Sequence, residues 1–287
     1  MRFLFLGDVV GRAGRQAILR ELPDLRQRYS LDFVVVNGEN SAGGFGITEN
    51  IHQDLLDAGA DAVTLGNHAF DQRDALVFIT RQERLVRPLN LPAGTPGKGA
   101  VLLRAANGAD VLVINALGRV FMAEQDCPFR AIDNEITACP MGEVADVIFV
   151  DFHAEATSEK QALGVFLDGR VSCVAGTHTH SPTSDHRVLA NGTAYISDVG
   201  MSGDYNSVLG MKSSEPVNRF LTRIPRERFE PSLGEATVCG LAVDIDDKSG
   251  LALATAPVRL GGVLSPAEPI FWSEKKASVE QNIGIRP

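Results

Sequence analysis

Two histidines stand two apart in Gly176-Thr177-His178-Thr179-His180, directly after the apolar run Val171-Ser172-Cys173-Val174-Ala175. The run reads as a buried strand, and side chains two apart leave a strand on the same side, so both imidazoles point one way from its carboxyl end. That is a metal-ligand arrangement, against the plain alternative of two surface-loop histidines. Four more apolar runs end in residues of ligand type: Gly7-Asp8, Asn37-Gly38-Glu39-Asn40, Leu65-Gly66-Asn67-His68 and Asp151-Phe152-His153. Ligands of open α/β sheets collect outside the carboxyl ends of the strands. Five strand ends therefore direct one set of oxygen and nitrogen donors into one crevice.

Two ions about 3.5–4 Å apart need a carboxylate between them, further N or O ligands around each, and open positions for water and a phosphate oxygen. Asp8 and Glu39 offer carboxylates, Asn40 and Asn67 amide oxygens, and His153, His178 and His180 imidazoles. No thiolate belongs to the set, which favours manganese, iron or a similar ion over a structural zinc. Each residue also has an ordinary reading. Asp8 could cap a helix, Glu39 and Asn40 could be a solvated loop, Asn67-His68 could cap the next helix, and His153 could be a satisfied core histidine. His52 and His186 read as surface residues. Asp71 reads as a solvated acid more readily than as a partner that orients His68.

These positions require strands behind them. Phe3–Leu6 and Phe33–Val36 are continuously apolar, as central parallel strands buried on both faces are. A helix is expected over Arg15–Tyr29, interrupted near Pro23, and another carrying Ile51, Leu55 and Leu56, capped by Thr48 and stopped by Gly59. A third strand begins at Ala62-Val63, with a helix over Phe70–Arg81 behind it. Strand and helix alternate in this way in a parallel sheet with right-handed crossovers. Gly7, Gly11 and Gly14 do not have the spacing of a nucleotide-binding loop. After a Pro- and Gly-rich loop over 88–99, two strands (100–104 and 111–115) flank a turn at Asn107-Gly108. A short helix is expected over Phe129–Cys139, a strand over Val147–Val150 and a helix over Glu155–Phe166. Short runs at 186–190, 193–198, 217–224, 237–245 and 251–259 predict a second, more antiparallel sheet. The loop from Asp198 to Met211 either borders the pocket or merely connects. From Pro266 a surface tail is expected, so that residues 1–287 form one domain ending in a tail over about 266–287.

The net charge of −9 and a pI near 5.2 disfavour binding long nucleic acid through a basic face, but leave a small phosphate ester possible. The four cysteines show no Cys-x-x-Cys spacing and read as reduced thiols. The apolar run at the N-terminus is too short for a signal sequence and meets Asp8 at once, and no apolar stretch approaches about 18 residues. A cytoplasmic protein without a membrane span is expected, with a homo-oligomer possible.

In order along residues 1 to about 200, the five strand-end motifs resemble the series of the calcineurin-like metallophosphoesterases. Two departures stand out, Val10 at the place of a ligand histidine and Glu39 at the place of the bridging aspartate. Those departures, with Asn37-Gly38-Glu39-Asn40-Ser41-Ala42-Gly43-Gly44-Phe45-Gly46, Asp151-Phe152-His153-Ala154-Glu155-Ala156-Thr157-Ser158-Glu159-Lys160 and Asp198-Val199-Gly200-Met201-Ser202-Gly203, resemble the YmdB branch over nearly the whole chain. The resemblance implies a four-layer α/β/β/α sandwich with two mixed sheets. It also implies a centre of two divalent or trivalent ions, iron or manganese, and hydrolysis of 2′,3′-cyclic nucleotides by a metal-bridged hydroxide. One ion would take Asp8, Glu39, Asn40 and His180, and the other Glu39, Asn67, His153 and His178, with His68 as proton donor. Asn40 follows the bridging acid in a Gly-rich loop and would supply the ligand that Val10 cannot. Other classes compatible with the same residues are a regulatory protein that holds a phosphate ligand on its metals with little turnover, and a general phosphomonoesterase.

Overall fold

The computed structural model describes residues 1–272. Its strands are β1 (Arg2–Leu6), β2 (Phe33–Asn37), β3 (Ala62–Thr64), β4 (Leu85–Val86), β5 (Ala100–Arg104), β6 (Asp110–Leu117), β7 (Val147–His153), β8 (Cys173–Thr177), β9 (Arg187–Val188), β10 (Ala194–Ile196), β11 (Gly203–Asp204), β12 (Ala236–Ile245) and β13 (Ala252–Leu260). The helices are α1 (Gly11–Tyr29), α2 (Glu49–Asp57), α3 (Ala75–Phe78), α4 (Pro128–Ala138), α5 (Thr157–Leu167) and α6 (Ser214–Thr222). One sheet has the order β11-β12-β1-β2-β3-β4, with β13 also paired to β12; the other has the order β5-β6-β7-β8-β10-β9. In the first, β1 to β4 are parallel and β12 is antiparallel to β1. In the second, β6, β7, β8 and β10 are parallel between antiparallel edges. Both sheets are mixed.

Period-two alternation along apolar strands explains the layers. Phe3 and Phe5 of β1, Phe33 and Val35 of β2, and Phe149 of β7 meet between the sheets, where the ring of Phe149 lies 4.9 Å from that of Phe3 and 4.8 Å from that of Phe5. The intervening Leu4, Leu6, Val34 and Val36 face outward against Ile18 and Leu22 of α1, Leu55 of α2 and Phe78 of α3. On the far side, Ile114, Ile148, Val150 and Phe152 pack against Ile132 and Ile136 of α4 and Leu163 and Leu167 of α5. The result is a four-layer α/β/β/α sandwich.

Several local expectations are corrected. Helix α1 is continuous and begins at Gly11; Pro23 sits on its exposed face, where a missing backbone bond is tolerated. The helix expected over Phe70–Arg81 is confined to Ala75–Phe78 and a 3₁₀ turn, because Gln72 instead bonds the carbonyls of Ala42 and Phe45 in the Gly-rich loop. Residues 217–224 do not form a strand. They belong largely to α6, where Pro216 occupies the first turn and Arg219 bonds Glu215 one turn back at 2.6 Å. The last two runs do not build a separate antiparallel sheet either: β12 pairs with β1, and β13 with β12. The expected tail is tied down at its start, since Ala267 exchanges backbone hydrogen bonds with Arg259 and Trp272 is buried with its ring 5.4 Å from that of Tyr29. The rest of it, 273–287, lies outside the described residues. Among the described residues no helix is long and apolar enough to cross a membrane, and all four cysteines are free.

Candidate metal centre

The strand face that is apolar between the sheets turns polar at its carboxyl end. Phe33 and Val35 are followed on that face by Asn37, Phe149 by Asp151 and His153, and Cys173 and Ala175 by Thr177, all buried. The loops after β1, β2, β3 and β8 add Asp8, Glu39, Asn40, Asn67, His68, His178 and His180. Two groups of donor atoms result, Asp8 with Glu39 and His180, and Glu39 with His153 and His178, with all ligand atoms of a group within 4.8 Å of one another. Glu39 is common to both. The expected amides reach one group each: Asn40 Oδ1 lies 3.2 Å from His180 Nε2, and Asn67 Oδ1 lies 3.0 Å from His153 Nε2. The Gly44 carbonyl accepts from Asn40 Nδ2 at 3.1 Å, so the amide oxygen is the atom left for the centre. Val10 is buried, and its N–H donates to the Ser202 carbonyl. Gly66 must lack a side chain, because a Cβ there would strike Glu39 Oε2 and His153 Nε2.

Hydrogen bonds behind the donors decide which imidazole nitrogen faces the centre. Asp151, fully buried, accepts from Thr64 Oγ1 at 2.6 Å, Asn37 Nδ2 at 2.9 Å and Thr177 Oγ1 at 2.6 Å. The Thr177 proton is committed to Asp151, so its oxygen accepts from His153 Nδ1 at 2.9 Å and leaves His153 Nε2 without a proton for a cation. His180 Nδ1 donates to the Leu209 carbonyl at 3.0 Å, which frees Nε2 in the same way. His178 is reversed: Nε2 stands 3.3 Å from Glu155 Oε2 and Nδ1 faces the centre, 3.0 Å from His153 Nε2.

The backbone that presents these two histidines lies in the left-handed region, with φ of 95° at His178 and 63° at His180, unfavourable for non-glycine residues. A buried ion pair holds it there. Lys160 Nζ donates to Asp198 Oδ2 and to the Thr177 carbonyl, both at 2.8 Å, and the same Asp198 oxygen accepts from the N–H and hydroxyl of Thr179. Gly176 adds a close approach, since a Cβ would strike the Ser197 carbonyl.

The electrostatics ask for a cation. Asp8 and Glu39 are at most 1% exposed, and Asp8 Oδ1 has no hydrogen-bond partner. Burial pushes the Asp8 carboxyl up to about 6, whereas Glu39 is held down at about 2 because the neighbouring His153 outweighs its burial. Burial opposes a second proton on His153, yet Glu39 and Asp8 lift its pKa to about 9, so that without a cation a proton on Nε2, 3.0 Å from Glu39 Oε1, takes the place a cation would hold. Burial together with the nearby His153 charge lowers His178 to about 3, keeping it neutral as a ligand must be. Uncompensated buried carboxylates are costly by several kcal/mol each. Carboxylate, imidazole and amide oxygens with one orphaned carboxylate oxygen fit a pair of metal ions.

His68 lies at the edge of this group. Its N–H donates to Glu39 Oε2 at 3.2 Å and its Nδ1 pairs with Asp71 Oδ2 at 2.7 Å, so Asp71 orients the ring and is not simply solvated. His52, expected at the surface, is buried in α2, and burial lowers its pKa to about 4. The 198–211 loop does border the site, with Val208 and Leu209 on the cleft and Tyr205 donating to the His180 carbonyl. The partners missed from sequence, Asp151 with Thr177, Glu155, and Lys160 with Asp198, have one local signal: Asp151 precedes His153 on the same strand face, and Glu155 and Lys160 follow it in one motif.

The same arrangement of sheets is found in the calcineurin-like phosphoesterase YfkN from Bacillus subtilis, at a TM-score of 0.52 over 98% of this chain and 97% of that one with 16% identity, which defines the fold. The chain belongs to the YmdB-like protein family, whose model matches residues 4–258. It is 47% identical over 253 residues, 88% of this chain and 94% of the relative, to the 2′,3′-cyclic-nucleotide 2′-phosphodiesterase of Bacillus subtilis (strain 168). A hypothetical protein from Thermus thermophilus superposes with a TM-score of 0.84 at 42% identity, covering 92% of this chain and all of that one.

Proposed function

We propose that the protein is a metal-dependent phosphodiesterase that opens nucleoside 2′,3′-cyclic phosphates. The observation that carries this is the pair of donor groups joined by Glu39 with an unligated, carboxylate-oriented histidine at their edge. Asp8, Glu39, Asn40 and His180 would hold one ion, and Glu39, Asn67, His153 and His178 the other; the thiol-free donor set suits iron or manganese. Bound there, the ions lower the pKa of water and offset charge on the phosphate oxygens. In the net reaction a water oxygen joins phosphorus, the bond to the 2′ oxygen breaks, and a proton reaches the departing oxygen. Asp71 occupies Nδ1 of His68, so Nε2 is the nitrogen available to deliver that proton. The buried Asp151, Thr64, Asn37 and Thr177 keep His153 from turning. The 47% identity to a protein of this activity supports the same reading, and four free thiols accord with a cytoplasmic location.

Purified, metal-loaded protein is expected to hydrolyse 2′,3′-cyclic AMP and bis-p-nitrophenyl phosphate faster than p-nitrophenyl phosphate. No turnover of either diester at full metal occupancy would replace the enzyme with a phosphate-holding protein. Faster cleavage of the monoester would make it a phosphomonoesterase.

A further inference from the structure

Beside the donor groups opens a cleft of about 280 Å³ whose floor is Glu39, Asn40, His68, His178 and His180. Its wall is apolar, with Phe45, Leu209, Met211, Phe220 and Phe229 prominent, and no Lys or Arg lines it. We propose that this wall is the subsite for the nucleobase of the substrate, and that Phe220 and Phe229 set a preference for substrates carrying a base. The inference rests on the phosphodiesterase reading and adds to it the part of the substrate that does not react.

Three observations point to a flat, uncharged group. Beyond the floor the lining carries no charged side chain, so nothing is placed to hold a second phosphate. Phe220 is 86% exposed and Leu209 51% exposed, an apolar rim left open where the cleft meets solvent; such surface beside a polar site marks ligand contact. The rings are also held in advance. The Arg219 guanidinium lies 3.9 Å over the centroid of Phe229 and is fixed by Glu215 at 2.6 Å and the Glu227 carbonyl at 2.8 Å. Phe45 meets the His68 ring edge-on at 5.1 Å, and its carbonyl accepts from Gln72 at 2.7 Å. Aromatic rings of this kind stack with any base, because every base has a π-face. The wall side chains bring no hydrogen-bonding group to read a base edge, so purines and pyrimidines should both be accepted, with purines favoured by their area. Ligand pockets commonly measure roughly 300–1,000 Å³, and a cleft at the small end suits a mononucleotide.

The test compares kcat/KM of the metal-loaded protein and its Phe220→Ser and Phe229→Leu variants on 2′,3′-cyclic AMP, 2′,3′-cyclic CMP and base-free ribose 2′,3′-cyclic phosphate. Binding of 3′-AMP and of ribose 3-phosphate is measured alongside by calorimetry. The parent is expected to favour the cyclic AMP over the base-free ester by about 5- to 100-fold, through KM, and Phe220→Ser to bring that ratio towards one; 3′-AMP should lose affinity by a similar factor. An equal preference for both esters in parent and variants would overturn the subsite. If no cyclic phosphate is turned over, the phosphodiesterase reading fails. Calorimetry then still decides the subsite: weaker 3′-AMP binding by Phe220→Ser supports it, and unchanged binding refutes it. A parent that is dimeric and becomes monomeric with Phe220→Ser, its 3′-AMP affinity unchanged, would assign the rim to a second copy of the chain.

Discussion

The floor and the wall of the cleft are built on opposite terms. In the floor and directly behind it, Asp8, Glu39, Asp151 and His153 are essentially inaccessible, and among their side-chain polar atoms only Asp8 Oδ1 is buried without a hydrogen-bond partner. On the wall, the side chains of Phe220 and Leu209 are exposed, and Leu209 meets the centre through its carbonyl, which accepts from His180 Nδ1. A floor of this kind is rigid because each donor is over-determined, and a change to any member leaves a buried partner unsatisfied. A wall of exposed side chains can change with little effect on folding. The proposed seats of chemistry and selectivity thus differ in what a substitution disturbs.

The comparison breaks most sharply if a floor ligand is removed. His178→Ala should release one ion and abolish diester hydrolysis, since a site with about four protein ligands that loses one binds far more weakly. Elemental analysis that still found two ions per chain would contradict the assignment. At the boundary, His68→Ala should retain both ions and slow 2′,3′-cyclic AMP cleavage by roughly 10²–10⁴-fold, while sparing bis-p-nitrophenyl phosphate, whose leaving group needs no proton. Equal losses on both esters would remove His68 from the role of acid.

Behind the floor, Asp151→Asn places an N–H₂ donor among three donors and releases the Thr177 hydroxyl from its acceptor, so the proton on His153 is no longer directed to Nδ1. Metal affinity should fall by about 10–100-fold, as measured by competition with a chelator, with the fold retained in circular dichroism; unchanged affinity would make Asp151 a packing residue only. The smallest effect lies outside both regions. His52 has a folded pKa of about 4 against an ordinary value of 6.5, so the unfolded chain takes up the proton first as pH falls. Its contribution to stability is intact above about 6.5 and is lost towards 4, on the order of 2 kcal/mol at pH 5. His52→Leu should narrow the gap between melting temperatures at pH 7 and pH 5, and an unaltered gap would show that the acid sensitivity arises in the centre instead.

Strand ends are local features, and the donor residues that the structure brings together were legible for that reason. Alternation in Phe149, Asp151 and His153, or the step from Val35 through Asn37 to Glu39, is written in consecutive residues, and a parallel sheet gathers its own strand ends on one edge. That the ends of β1 to β3 meet those of β7 and β8 from the other sheet was decided by the packing of the two sheets. The same locality showed that the central strands are covered on both faces, because strands apolar on both faces must be; the count of four layers came from the family resemblance. Tertiary structure decided what lies at long sequence separation. Antiparallel β12 beside β1 joins residues about 240 apart, and neither strand's pattern names its partner. Helix α6 carries a run that alternates like a strand, and Pro216, the Glu215–Arg219 pair and the cation–π contact on Phe229 hold it helical. His52 reads as polar surface until α2 is laid against the sheet. The proton directions on His153, His178 and His180 depend on Thr177, Glu155 and the Leu209 carbonyl, groups brought to the rings only by folding, because a hydrogen bond is decided by distance in space and not by distance along the chain.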